Sequence, residues 1–197
     1  PSSAAVLDTC SAGQGLIVHK VRVENGVLKV GDTVSAAVDG EKRDATRRNH
    51  TATHLMHAAL REVLGTHVKQ AGSVVAPNHL RFDFTHFEAV GAERLQDIER
   101  IANSFIRKNH AVTITQMPLA EARQAGAMAL FGEKYEDTVR VVRVDDISLE
   151  LCGGCHVRRT GVIGYCKILS ESSVAAGVRR IEAVCGEPCV DVLQGRE

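Results

Sequence analysis

The chain has 197 residues, of which 44% are hydrophobic and 24% are charged, a balance that is typical of a folded domain and excludes an intrinsically disordered chain. Its 24 basic residues equal its 24 acidic ones, so the formal net charge is zero and any contact with nucleic acid must come from local basic patches. No apolar run approaches the roughly 18 residues of a membrane span, and six cysteines with no signal peptide before them lead us to expect reduced thiols in a cytoplasmic protein without a membrane partner.

The first 44 residues predict a small β unit. Apolar residues alternate through 15–23 and 27–38, and Glu24-Asn25-Gly26 between them is the turn sequence of a tight hairpin. A second turn signal follows at Val30-Gly31-Asp32. We therefore expect residues 1–44 to form part of a small β-barrel subdomain.

Residues 45–197 predict an α+β core in which helices pack on an antiparallel sheet. Apolar side chains recur at helical spacing from Leu55 to Val63, in a helix that begins near Thr46 and ends before Gly65. The later patterns predict, in order, a β-hairpin over 68–84, a helix over 93–108, a strand over 111–116, a short helix from Pro118 to about Gly126, and strands over 138–144, 147–151, 162–169 and 178–184.

Three histidines on the first predicted helix are candidate metal ligands. His50 and His54 are four residues apart, so their Cβ atoms should lie about 6 Å apart on one face. His57 lies seven residues after His50 and hence nearly on the same stripe. Spacing alone does not choose between the pairs His50/His54 and His54/His57, and a pair of partly buried core histidines is the alternative to a metal site.

The segment Leu151-Cys152-Gly153-Gly154-Cys155-His156 offers three further ligands in a tight turn. Together with two helical histidines it makes the nitrogen and sulfur donor set that zinc prefers. A redox pair of the thioredoxin type and a loop of free thiols are the alternatives, although no strand-then-helix pattern follows. Cys185 and Cys189 have no further partner pair in the sequence, so we expect them to be unpaired thiols.

Arginines occur in three adjacent pairs, and two of these pairs flank the candidate ligands. Arg47-Arg48 precedes His50, and Arg158-Arg159 follows the cysteine turn. Guanidinium groups around a metal centre would suit a phosphodiester chain delivered to a hydrolytic site, although most such pairs are solvated surface. The tRNA-binding candidates are Arg47, Arg48, Arg158, Arg179 and Arg180.

The stretch HTATHLMHAAL at 50–60 closely resembles the editing domain of alanyl-tRNA synthetases. The similarity extends over nearly the whole chain, through QAGS at 70–73, LRFDF at 80–84, ALFGEKY at 129–135 and GVRRIEA at 177–183. The resemblance implies a zinc site and a small β-barrel before an α+β editing core. The implied ligands are His50, His54, Cys152 and His156, whereas Cys155 stands where the family usually has threonine.

The resemblance also implies the activity, which is hydrolysis of the aminoacyl ester of mischarged Ser-tRNA(Ala) and Gly-tRNA(Ala). Gln70 and Ser73 match a family stretch and are candidates for contacting the seryl hydroxyl or the ribose of the acceptor end. The chain would then be an internal piece of an alanine–tRNA ligase, with the ATP-dependent core and the oligomerisation region elsewhere. The alternatives are a free-standing AlaX-type trans-editing hydrolase and a zinc-stabilised, non-catalytic tRNA-binding module.

Overall fold

The first compact unit of the chain is a two-stranded sheet. The computed structural model describes residues 2–13, 15–129 and 135–196, and its two units are Pro1–Val38 and Asp39–Glu197. In the first unit β1 (Ser3–Ser11) pairs antiparallel with β2 (Ile17–Asn25). The described residues of this unit form no closed barrel by themselves, and the expectation that residues 1–44 are part of a small β-barrel subdomain stays a prediction.

The tight hairpin predicted at Asn25-Gly26 and the strand predicted over 27–38 are both wrong. The Asn25-Gly26 step follows the end of β2, where Ser2 Oγ accepts a hydrogen bond from the Val27 amide at 3.1 Å. Residues 29–32 then form a turn, because the Asp32 carboxylate accepts the Lys29 amide at 2.8 Å. This local side-chain bond competes with strand pairing and prevails over the alternating pattern.

The second unit begins with the long helix α1 (Gly40–Leu64). It starts about six residues earlier than predicted, because the Asp39 side chain accepts the Lys42 amide at 3.1 Å and caps the helix. The predicted end is confirmed, since Gly65 follows the last turn with a φ of 110° that few other residues adopt. Residues 45–64 therefore form the helix that the period predicts.

In the described part of this unit, two antiparallel sheets and three further α-helices follow, which confirms the α+β class. Phe82, Phe84 and Ile181 of the larger sheet pack with Leu55 and Met56 of α1 in the main core. The larger sheet has the order β3-β4-β9-β8, and the smaller one β5-β6-β7. The elements are β3 (Gln70–Val75), β4 (Leu80–Thr85), α2 (Ala92–Arg107), β5 (Val112–Pro118), α3 (Leu119–Gln124), β6 (Thr138–Val144), β7 (Ser148–Leu151), β8 (Cys166–Ala175), β9 (Val178–Cys185) and α4 (Glu187–Leu193).

Several elements differ from the sequence prediction. The strand predicted from 162 begins only at Cys166, because a short 3-10 turn over Thr160–Ile163 ends at Gly164. Pro118 ends β5 and precedes α3 rather than opening that helix. The sequence pattern predicts no helix where α4 lies. None of the described helices is long and apolar enough to cross a membrane.

Candidate metal centre

Four nitrogen and sulfur side chains meet where α1 passes the loop after β7. One donor atom from each of His50, His54, Cys152 and His156 can be chosen so that all four lie within 4.8 Å of one another. Cys152 Sγ lies 3.4 Å from His50 Nε2 and 3.4 Å from His156 Nε2. The cluster contains the four residues that the family resemblance implies as ligands, and it could hold a metal ion.

The glycines of the loop let it approach α1 closely. Gly154 faces the His50 ring, and a Cβ atom on Gly154 would lie 1.9 Å from His50 Cε1. The Gly154 amide also donates to Cys152 Sγ at 3.4 Å, which orients the sulfur. Gly153 has no such constraint, since a Cβ there would meet nothing within 4 Å. The second glycine therefore sets the position of His50 relative to the thiol.

A buried threonine of α1 orients His156. Thr51 is fully buried, and its Oγ1 lies 3.1 Å from His156 Nδ1 and accepts the Val157 amide at 3.1 Å. With Nδ1 engaged by Thr51, the other ring nitrogen of His156 faces the cluster. Thr51 thus links the helix that carries two candidate ligands to the loop that carries the others.

The electrostatics of the cluster favour neutral imidazoles and a protonated thiol when no metal is bound. Burial, together with the neighbouring His54, lowers the pKa of His50 from 6.5 to about 4. Burial and the other two imidazoles lower the pKa of His156 to about 2. Burial raises the pKa of Cys152 above 9.0. The imidazoles are therefore ready to bind a cation at neutral pH, while the thiol has to lose a proton.

A cavity of about 510 Å³ adjoins the cluster and is lined by His50, His54 and Cys152. Gln70 and Ser73 of β3 line the same cavity, so two side chains that the resemblance implies as substrate contacts share a wall with the candidate ligands. Its volume falls in the range of small-molecule sites in proteins.

Arg140 is a cavity residue that the reasoning from sequence missed. It lines the cavity, and its Nη1 donates to the Cys152 carbonyl at 2.6 Å. The guanidinium therefore brings a positive charge to the wall beside the candidate thiolate. Arg140 interrupts the run of valines in β6, and a charged residue at such a position can indicate a functional site. The same pattern is equally typical of a strand residue that faces solvent.

Cys155 lies outside the group of four. Arg43 Nη1 donates to Cys155 Sγ at 3.5 Å, so this thiol contacts a guanidinium of α1.

The stretch 129–135 that contributes to the resemblance falls largely on residues 130–134, which lie outside the described part of the chain.

The five arginines expected to guide tRNA do not line the cavity. Arg180 makes a two-point contact with Asp83 at 2.7 and 2.8 Å, and Arg179 pairs with Glu171. Arg47 pairs with Asp44 at 2.7 Å. The Arg48 side chain approaches Gly186, and Arg158 is exposed. Three of the five therefore have their charge opposed by a carboxylate, and their role in binding tRNA stays a prediction.

Comparison with known proteins agrees with these features. Residues 139–182 match the family model described as the threonyl and alanyl tRNA synthetase second additional domain. The chain is 58% identical to the alanine–tRNA ligase of Thermus thermophilus, covering 98% of this chain and 22% of that relative. It is 57% identical to the alanine–tRNA ligase of Desulfosudis oleivorans, covering 96% of this chain and 22% of the relative.

The similarity is continuous over the present chain but partial over its relatives. The chain spans about a fifth of the length of these curated relatives. The matched family model covers Arg140 and Glu150 of the cavity wall, the cysteine turn and His156. Over nearly its whole length, the chain therefore matches a part of the alanine–tRNA ligases.

Proposed function

We propose that this chain hydrolyses the aminoacyl ester of tRNA(Ala) that carries serine or glycine in place of alanine. The observation that carries the proposal is the shared cavity, which is lined by His50, His54 and Cys152 together with Gln70 and Ser73. A hydrolytic site needs an activating centre beside a polar surface that holds the substrate, and this cavity offers both.

The chemistry of alanine selection supports the need for such a site. An alanine pocket cannot exclude glycine by size, and it rejects an isostere that merely adds a hydroxyl by only about 100-fold. A second site that removes the wrong residue from the tRNA supplies the missing discrimination. The relatives of this chain are alanine–tRNA ligases, which face this selection problem.

We propose Zn²⁺ as the metal, held by His50, His54, Cys152 and His156. Three imidazoles and one thiol form a donor set that zinc prefers, and the neutral imidazoles fit a cation without losing protons. When bound there, the ion would supply Lewis-acid chemistry to an ester carbonyl or a water molecule.

The chain's own side chains orient the substrate in this proposal. Gln70 offers an amide donor and an acceptor, and Ser73 offers a hydroxyl, to the seryl hydroxyl or the ribose. Arg140 presents a guanidinium to the same cavity, where it can meet the phosphate of the tRNA acceptor end. Such polar contacts would favour serine over alanine, and glycine, which also lacks the hydroxyl, would be the slower substrate.

A second candidate function is a metal-stabilised tRNA-binding module without catalysis. The observation that favours it is the number of donors, because four protein ligands are typical of a structural zinc site, whereas catalytic zinc keeps an open position.

Deacylation assays separate the two candidates. Ser-tRNA(Ala), Gly-tRNA(Ala) and Ala-tRNA(Ala) are each incubated with the chain, with Cys152→Ala, and with Cys10→Ala, which changes an exposed thiol of the first unit. We expect hydrolysis of the seryl ester, slower hydrolysis of the glycyl ester and none of the alanyl ester, with activity lost only in Cys152→Ala. Equal rates on seryl and alanyl esters would refute editing, and binding without hydrolysis would favour the second candidate.

A further inference from the structure

The carboxylate of Glu150 lies buried beside the metal centre, where its ion-pair contacts are with imidazoles. Glu150 belongs to β7 and is 7% exposed. Its Oε1 lies 3.4 Å from His57 Nδ1 and 3.7 Å from His54 Nδ1, and it accepts a hydrogen bond from Ser148 Oγ at 2.8 Å. Among the described residues, its ion-pair contacts are with these two imidazoles and include no lysine or arginine.

A buried carboxylate requires a compensating positive charge, and the cluster can supply one. Imidazoles must be neutral to bind a metal ion, so three of them add no charge to the centre. A divalent cation with one thiolate from Cys152 therefore keeps one net positive charge. The Glu150 carboxylate, which lies beside His54, would balance that remaining charge.

The geometry also accounts for which histidines reach the cluster. Glu150 faces Nδ1 of His54, which leaves Nε2 of that ring to point at the other donors. His57 turns its own Nδ1 toward the same carboxylate oxygen and lies beside Phe82, with ring centroids 5.2 Å apart. One carboxylate oxygen thus lies near one helical histidine that belongs to the cluster and near a second one that does not.

We propose that Glu150 is a positioning residue, whose carboxylate lies beside His54 Nδ1, directs Nε2 of that ring at the bound cation and balances its remaining charge. The inference rests on the metal centre of the proposed function, but not on its hydrolytic activity. It predicts that removing the carboxylate charge weakens metal binding even when every donor atom is retained. Loss of such a supporting partner typically lowers metal affinity 10- to 100-fold.

The test measures metal binding rather than turnover. Co²⁺ and Zn²⁺ affinities are determined by chelator competition for the parent, Glu150→Gln and Ser148→Ala, with folding followed by circular dichroism. Glu150→Gln keeps the shape but loses the charge, whereas Ser148→Ala removes a hydrogen bond to the same carboxylate and keeps the charge. We expect a 10- to 100-fold loss and an altered Co²⁺ absorption spectrum in Glu150→Gln, and affinity within about threefold of the parent in Ser148→Ala.

A measurement on the parent chain tests the same geometry without any substitution. Nitrogen NMR of the histidine rings in the Zn²⁺-loaded chain should show His54 bound through Nε2 and protonated at Nδ1. Binding of His54 through Nδ1, or parent-like affinity and spectrum in a folded Glu150→Gln chain, would overturn the role of Glu150. A chain that binds metal as expected but hydrolyses no ester would overturn the proposed function and leave this inference standing.

Discussion

Substitution of Gly154 by alanine tests whether the close approach of the loop to His50 holds the centre together. A Cβ atom on Gly154 would lie 1.9 Å from His50 Cε1 and 2.2 Å from His50 Nδ1. Atoms in ordinary van der Waals contact are at least 3.4 Å apart, so the ring or the loop must move by about 1.5 Å. The close atoms belong to a ring rather than to the end of a flexible chain.

A displacement of this size removes His50 from any shared coordination. Zinc–nitrogen bonds measure about 2.0–2.1 Å and tolerate deviations of roughly 0.2 Å. Changes that merely disturb a ligand's support lower affinity about 10- to 100-fold, so the loss of a ligand should cost at least about 100-fold, or roughly 2.7 kcal/mol. Gly154→Ala should therefore bind zinc at least 100-fold more weakly than the parent.

Gly153→Ala is the matched control, because a Cβ at that neighbouring position meets nothing within 4 Å. Zinc affinity is measured by competition with a chromophoric chelator, and circular dichroism verifies that each variant is folded. Gly153→Ala should stay within about threefold of the parent. If Gly154→Ala also keeps zinc affinity within threefold of the parent while folded, the packing of this loop on His50 does not support the metal centre.

Three further predictions concern the same cluster. The pKa of Cys152 is raised above 9.0 and that of His50 is lowered to about 4, so metal binding should release about one proton. Metal affinity measured by chelator competition should therefore rise about tenfold per pH unit from pH 6 to 8, and a flat profile would contradict this. In the metal-free chain, His50 and His156 resist protonation in the folded state but not in the unfolded state. The free energy of unfolding, measured in urea, should therefore fall as the pH drops from 6.5 towards 4, by at most about 1.4 kcal/mol per pH unit for each histidine. A constant free energy of unfolding over that range would argue against buried neutral rings. Cys155→Thr should keep full zinc content by metal analysis, because Cys155 contacts Arg43 and lies outside the group of four; loss of zinc would make Cys155 a ligand.

The helix that carries the candidate ligands could be predicted because its signals are local. The apolar period and Gly65 determine where α1 ends, and the spacing of His50 and His54 places them on one face. The predicted start of α1 is about six residues late, because the sequence pattern places Asp39 in the preceding β unit. Asp39 is nevertheless typical of a helix N-cap, since its side chain accepts the free amide of Lys42 three residues later.

The partners of the candidate residues could not be predicted, because they depend on strand order. Arg180 meets Asp83 since the two are direct register partners between β9 and β4, 97 residues apart in the chain. Nothing in the local sequence indicates that these strands are neighbours. Spacing along α1 likewise left open whether His50 or His57 joins His54. The family resemblance indicated His50, and the structure brings His50 into the group of four while His57 lies beside Glu150.

In the described part of the chain, the contrast between two buried carboxylates shows why Glu150 points to a bound cation. Asp83 and Glu150 are each 7% exposed. Asp83 receives two hydrogen bonds from the Arg180 guanidinium, which lowers the pKa of that carboxyl. Glu150 receives one hydroxyl and faces two imidazoles, one of which belongs to the cluster of four donors. Asp83 thus has an arginine partner from the same fold, whereas Glu150 lies beside a cluster that could hold a positive ion. Because a buried carboxylate needs a compensating charge, this contrast supports a metal centre independently of the family resemblance.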